Sequence, residues 1–153
     1  MSQSQDTISK VPLVSVVMAT YNGEAFIAEA IQSVLDRQSD GHFYADANVE
    51  GVPVHFLVDT GASMIALTAE DATDAGLTWN DDDLRVVARG ASGQILGVPA
   101  TLNEVSLGGF STRGVPAIII PQGLPVSLLG QSFLSRLGKM DVVGDKMTLG
   151  DTQ

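Results

Sequence analysis

Residues 56–68 read FLVDTGASMIALT, Phe56 to Thr68. Three apolar residues, Phe56, Leu57 and Val58, deliver one carboxylate, Asp59, into a turn of small residues, Thr60-Gly61-Ala62-Ser63, and apolar chain then resumes. A carboxylate at the end of a buried strand is costly unless it is hydrogen-bonded or shares a proton with a partner. Thr60 offers a hydroxyl beside it, Ser63 offers a second donor, and Gly61 lets another backbone come close. An isolated Asp-Thr-Gly is more often a turn than a site, so the reading depends on what surrounds it.

Outward from this stretch the chain reads as short strands separated by Gly, Pro and Asn turns. His42 to Val49 alternates towards a hairpin turn at Gly51, and Val52 to Asp59 returns as a second strand. Thr68 is an N-cap with Asp71 three residues on, and Gly76 closes the helix they begin. Leu84 to Ala88 and Gln94 to Leu102 form strands about Gly90-Ala91-Ser92-Gly93, and Val105-Ser106-Leu107 leads into Gly108-Gly109. Val115 to Ile120 and Val126 to Leu129 are buried runs. Gln131 to Leu137 is a short helix ended by Gly138, and Met140 to Val143 with Lys146 to Leu149 make a last hairpin. Turns at this spacing imply a mainly β fold, a small closed antiparallel barrel or sandwich with one or two short helices.

The 153 residues suit one ordinary domain. Hydrophobic residues make up 44% but aromatics only 5%, so the core is built from Val, Leu, Ile and Ala. A formal charge of -10, with eight Lys and Arg in no cluster, argues against nucleic acid and makes basic peptides the more natural partners. There is no cysteine, hence no disulfide, thiolate nucleophile or Cys-based zinc site. The early apolar stretch Val11 to Ala19 contains Pro12 and Ser15 and falls short of the ~20 residues a membrane span needs. It lacks a small-residue cleavage site, so a cytoplasmic location is expected for the chain as written.

The first forty residues read differently. Val14 to Ala19 is a β-branched strand, Asn22-Gly23 a turn, and Phe26, Ile27, Ala30, Ile31, Val34 and Leu35 recur at helical spacing. The stretch Pro12 to Gln38, PLVSVVMATYNGEAFIAEAIQSVLDRQ, resembles the opening βα unit of family 2 glycosyltransferases, in which residues matching Ala19-Thr20-Tyr21-Asn22 help hold a nucleotide sugar. The resemblance stops there. Asp81-Asp82-Asp83, the one candidate for the metal-binding motif of that family, follows no hydrophobic strand and reads as a solvated turn. The expected division is a strand-helix appendage or fusion segment over 1–40 and a barrel domain over 41–153.

About seventy residues after Asp59 come Val126-Ser127-Leu128-Leu129-Gly130 and then GQSFLSRLG, Gly130 to Gly138. Together with the Asp-Thr-Gly stretch these resemble the retroviral-type, or retropepsin-like, aspartic proteases, especially the bacterial single-domain members, over about Gly41 to Gly150. The resemblance implies an acid-protease barrel and an aspartic endopeptidase without metal or cofactor, with Asp59 catalytic, Thr60 bracing two catalytic loops and Gly61 allowing their close approach, Ala62 and Ser63 completing the loop. It implies Leu128, Leu129 and Gly130 as the core behind that loop, and Gly90, Ala91, Ser92 and Gly93 as the tip of a flap. The flap departs from the Ala-Asn-Gly-like form common in bacterial members. Two carboxylates about 3 Å apart share a proton, and this chain has one Asp-Thr-Gly, so a symmetric homodimer acting on peptide or protein substrates is expected. Apolar substrate pockets are expected from Ile65, Ile95, Val98 and Ile118. Relatives of this type often carry a membrane anchor, which makes a periplasmic or membrane-associated location the alternative.

Other constellations are weaker. His42 and His55 lack a third ligand at metal spacing. Trp79 and the scattered Met18, Met64, Met140 and Met147 read as packing, and Ser63, Ser92 and Ser132 have no histidine placed for a triad. The rival functions are a catalytically silent dimerisation or peptide-binding module of the same fold and, from residues 12–38, a nucleotide-sugar-binding fragment.

Overall fold

The structure, a computed structural model, describes residues 16–21, 24–29 and 33–150, with backbone alone for the first two segments. The turn expected at Asn22-Gly23 lies outside the described residues. Strands β1 (Val16–Tyr21) and β2 (Glu24–Glu29) pair antiparallel as a two-stranded sheet, Val16 opposite Glu29 and Tyr21 opposite Glu24. Strand β3 (Ser33–Asp36) follows.

The helix expected over Phe26 to Leu35, and with it the strand-helix appendage, is therefore corrected: the described residues of that stretch are strand. The physical reason lies far along the chain. A C-terminal hairpin, described below, leaves one edge open, and β3 pairs with it from Ser33 opposite Leu149 to Asp36 opposite Lys146. Ladder hydrogen bonds of that kind outweigh a local helical period, and β-branched residues such as Ile27 and Val34 suit a strand equally well. Among the described residues, pairing with the later part of the chain begins at Ser33.

The barrel uses β4 (Tyr44–Val49), β5 (Val52–Val58), β6 (Ile65–Thr68), β7 (Arg85–Gly90), β8 (Gly93–Leu107), β9 (Phe110–Ile120) and β10 (Ser127–Leu129), with helices α1 (Ala69–Asp74) and α2 (Gln131–Leu134). The hairpin β11 (Lys139–Val143) and β12 (Lys146–Gly150) is the last of the described elements and forms a three-stranded sheet in the order β11-β12-β3.

The main sheet runs β4-β5-β10-β6-β9-β8-β7, and β4 also pairs with β8, at Asn48 opposite Ser106 and Val49 opposite Val105. That second pairing closes six strands into a barrel, and β7 extends from it as one arm of a hairpin. The closure is as expected, but its pairing is mixed: β10 runs parallel to β5 and β6 parallel to β9.

Turn chemistry fits each reversal. Glu50 and Gly51, both with positive φ (52° and 82°), make the two-residue turn between β4 and β5 whose twist suits a hairpin. Glu50 bears that conformation while its N–H donates to the Glu104 carbonyl (3.0 Å) and its carboxylate accepts from the Asn103 N–H (2.5 Å), tying the turn to β8 at the closure. Thr68 caps α1 by accepting from the Asp71 N–H at 3.1 Å, as its spacing predicts.

Phe56, Ile65, Leu67, Leu102, Val105, Val115, Ile119 and Leu129 are fully enclosed in the barrel, each contributing about 1.5–3 kcal/mol by leaving water. Phe133 of α2 seals one end and meets Phe110 edge-on at 5.7 Å.

Candidate active site

The position of Asp59 follows from the strand order. Strand β10 is inserted between β5 and β6, with Leu128 opposite both Leu57 and Ala66. The chain leaving β5 must therefore cross the end of β10 before it can enter β6. Residues 59–64 make that crossing, and small side chains keep it tight. The Asp59 N–H donates to the Leu129 carbonyl at 3.1 Å, and the Ala62 N–H donates back to the Asp59 carbonyl at 3.2 Å.

The Asp59 side chain is half-buried, and its Oδ1 accepts from the Gly61 N–H at 2.9 Å. A Cβ on Gly61 would stand only 3.3 Å from that oxygen. Thr60, Gly61 and Ser63 are exposed, and Met64 is 38% exposed. No hydrogen bond holds the Thr60 hydroxyl among the described residues.

Behind the loop, Leu129 is fully buried in the core, Gly130 is buried and Leu128 is half-buried. Gly130 has no room for a side chain: a Cβ there would overlap the Met64 carbonyl and lie 2.8 Å from the Ala62 oxygen. Two further residues, to which the sequence pattern assigns no role at the loop, hold it. Gln131 donates its backbone N–H to the Ala62 carbonyl (2.8 Å) and its side-chain Nε2 to the Thr60 carbonyl (3.1 Å). Ser132 donates its N–H to the Ser63 carbonyl (3.0 Å) and accepts from the Ile65 N–H through Oγ (3.0 Å). Polar residues just after the buried Leu-Leu-Gly strand were the available signal.

The expected flap is a hairpin. Gly90 pairs with Gly93 around the two-residue turn Ala91-Ser92, and the register shifts between Val86 and Ala88, a bulge that adds twist to the arm. Gly93 has φ +122°, a conformation side chains rarely adopt. A cavity of about 470 Å³ lies between this hairpin and residues 120–124, bounded by Ser92, Gln94, Ile95 and Leu96 on the hairpin side. Of the pocket residues expected, Ile95 lines it. Ile65 is fully buried and Val98 nearly so, hence both belong to the barrel core, a correction set by which face of the strand turns inward; Ile118 is half-buried. A second, open cavity of about 630 Å³ beside Glu50, Asn103 and Arg113 holds no residue of the aspartate loop.

The histidines lie elsewhere. His55 Nδ1 is 2.6 Å from Asp46 Oδ1, and His55 stacks on Tyr44 with ring centres 5.1 Å apart; His42 Nδ1 is 3.6 Å from Asp40. The Tyr44 hydroxyl donates to Asp40 at 2.7 Å and holds its carboxyl below the usual range, while the same bond raises the Tyr44 phenol. Among the described residues no group of three His, Asp or Glu side chains is arranged to hold a metal ion. No described helix is long and apolar enough to cross a membrane.

A closed six-stranded barrel with one Asp-Thr-Gly loop across the end of an inserted Leu-Leu-Gly strand defines the retropepsin-like class of fold. The family described as "gag-polyprotein putative aspartyl protease" matches residues 45–136, and the chain belongs to that family. It resembles the crystal structure of a retropepsin-like aspartic protease from Rickettsia conorii, with a TM-score of 0.64 and 35% identity over 77% of this chain and 88% of that one. It shares its fold with the EIAV protease complexed with the inhibitor HBY-793, at a TM-score of 0.56 and 18% identity over 69% of this chain and 97% of that one.

Two curated relatives are named as uncharacterized proteins. One, from the cobV 5' region of a Sinorhizobium species, is 40% identical over 77% of this chain and 51% of its own length. The other, RP867 of Rickettsia prowazekii, is 34% identical over 90% of this chain and 58% of its own. The chain thus spans little more than half the length of these relatives.

Proposed function

We propose that the chain is one protomer of a homodimeric aspartic endopeptidase whose catalytic dyad is Asp59 with Asp59 of a second copy. The observation that carries this reading is the state of the loop: a half-buried carboxylate fixed through one oxygen by the Gly61 N–H, within a rim of exposed small residues. These 153 residues contain one Asp-Thr-Gly, and a second copy of the chain supplies a like partner in this reading. The exposed Thr60 hydroxyl is free to meet the partner's loop.

Two carboxylates at about 3 Å cannot both ionise, so one retains a proton. The charged member takes a proton from a water held between them as that water attacks the peptide carbonyl, and the protonated member donates to the carbonyl oxygen. Collapse of the tetrahedral species passes a proton to the departing amine and restores the shared one. The hairpin tip Gly90–Gly93 would close over an extended peptide and exclude water. No metal or cofactor is required by this chemistry.

Digestion of a mixed peptide library tests the reading. The wild-type chain should cleave, Asp59→Asn should not, and both should sediment as dimers. Cleavage that survives in Asp59→Asn removes the mechanism; a wild-type dimer that binds peptides without cutting them leaves a binding module of the same fold.

A further inference from the structure

The cavity between the β7–β8 hairpin and residues 120–124 has an uneven chemistry. Leu84, Leu96 and Leu124 give it an apolar wall, and Asp81 is its one formal charge, the remaining polar side chains being the neutral Ser92, Gln94 and Gln122. Leu96 is 47% exposed and lines the cavity, so its aliphatic surface is open to a bound side chain.

Asp81 opens the short 3-10 turn Asp81–Asp83, yet it takes no part in capping it. The reciprocal cap is made by Asn80 and Asp83. Among the described residues the Asp81 carboxylate has neither a hydrogen bond nor an ion pair, so it stands at the cavity unneutralised. The two cations of the hairpin, Arg85 opposite Gly97 and Arg89 opposite Gln94, are not among the residues that line the cavity.

We propose that this cavity receives a lysine or arginine side chain of a bound peptide, its aliphatic stem against Leu84, Leu96 and Leu124 and its cationic head at Asp81. Long basic side chains bury their methylenes while keeping the charge at a polar rim, and a wall of leucines ending on one carboxylate is complementary to that shape. The chain's net charge of -10 draws basic peptides towards it and repels acidic ones. The assignment rests on the endopeptidase reading and specifies its substrate class: peptides with a basic residue among apolar ones.

The test uses the 153-residue Asp59→Asn chain and fluorescein-labelled peptides of one apolar frame, with a single scanned position carrying lysine, norleucine or glutamate, read by anisotropy. At the position that occupies the cavity, lysine should bind about two- to fivefold more tightly than norleucine, the range of a rim ion pair, and glutamate should bind most weakly. Adding Asp81→Asn should erase the lysine advantage and leave norleucine binding unchanged, whereas Asp82→Asn should preserve it. Equal binding of lysine and norleucine at every position, a lysine advantage that survives Asp81→Asn, or no binding of any peptide overturns the proposal. If Asp81-dependent binding is found but the wild-type chain cleaves nothing, the endopeptidase reading fails and the basic pocket stands. If the wild-type chain cleaves with no basic preference, the pocket fails alone.

Discussion

Gly130→Ala isolates the contact on which the aspartate loop rests. The added methyl would be driven into the Met64 carbonyl and to 2.8 Å from the Ala62 oxygen, and both obstacles are backbone. No rotamer change relieves that, so β10 and the loop must separate. Overpacking of this kind costs about 1–3 kcal/mol. Separation also stretches the bonds from Gln131 N–H to Ala62 (2.8 Å) and from Ser132 N–H to Ser63 (3.0 Å), each worth about 1 kcal/mol. A total near 3 kcal/mol lowers Tm by about 10 °C in a domain of this size. Two other glycines provide an internal scale. A Cβ at Gly97 would press chiefly on the Ile118 and Val87 side chains, which can yield in part, and would stand 3.0 Å from the Ile119 carbonyl oxygen, a milder backbone contact than at Gly130, whereas at Gly90 it would make an ordinary 3.5 Å contact with Ile95. Thermal and denaturant unfolding should therefore rank the losses Gly130→Ala, then Gly97→Ala, then Gly90→Ala, which is near neutral. Gly130→Ala as stable as Gly90→Ala would refute the claim that β10 buttresses the loop by direct contact.

Other outcomes follow from the same contacts. Gln131→Leu removes the Nε2 bond to the Thr60 carbonyl while the backbone bond remains, so stability should fall by about 1 kcal/mol and kcat should drop more than KM changes; an unaltered kcat would end the positioning role. Ser127 is fully buried, accepts from the Thr68 N–H at 3.0 Å and donates to Asp71, so Ser127→Ala should cost about 1–3 kcal/mol in urea unfolding, and a neutral result would contradict the network. Asp40 is held below its ordinary pKa chiefly by the Tyr44 hydroxyl, so its stabilising contribution is present above its unfolded pKa and lost as pH falls through the folded one. In Tyr44→Phe the Asp40 titration followed by NMR should move upward; an unmoved titration would mean that the hydroxyl is not the cause.

What could be read from the chain alone was what local pattern decides. Asp59 to Ser63 stood out because a strand period ran straight into a turn of small residues, and the Thr68 cap and the Gly51 reversal carry their geometry in adjacent side chains. The N-terminal stretch misled for the converse reason. The helical spacing of Phe26 to Leu35 is genuine, but the state of Ser33–Asp36 is decided by β12, more than a hundred residues away. The loop-holding roles of Gln131 and Ser132 are invisible to local pattern because the groups they hold are 71 and 67 positions distant. For Ile65 and Val98, apolar character alone does not say whether a strand residue faces the barrel interior or a ligand. The parallel partners of β5 and β6 were likewise unreadable, since parallel order depends on how distant strands are threaded.

The central claim is that two copies of Asp59 make one site, and the most direct measurement is the separation of their carboxylates in a crystal of the homodimer. Oxygens about 3 Å apart across a twofold axis, with the two Thr60 hydroxyls facing one another's loops, are the expected result. A dimer whose Asp59 carboxylates lie well beyond hydrogen-bonding reach, or a chain that remains monomeric at crystallisation concentration with its loop open to solvent, would contradict the claim.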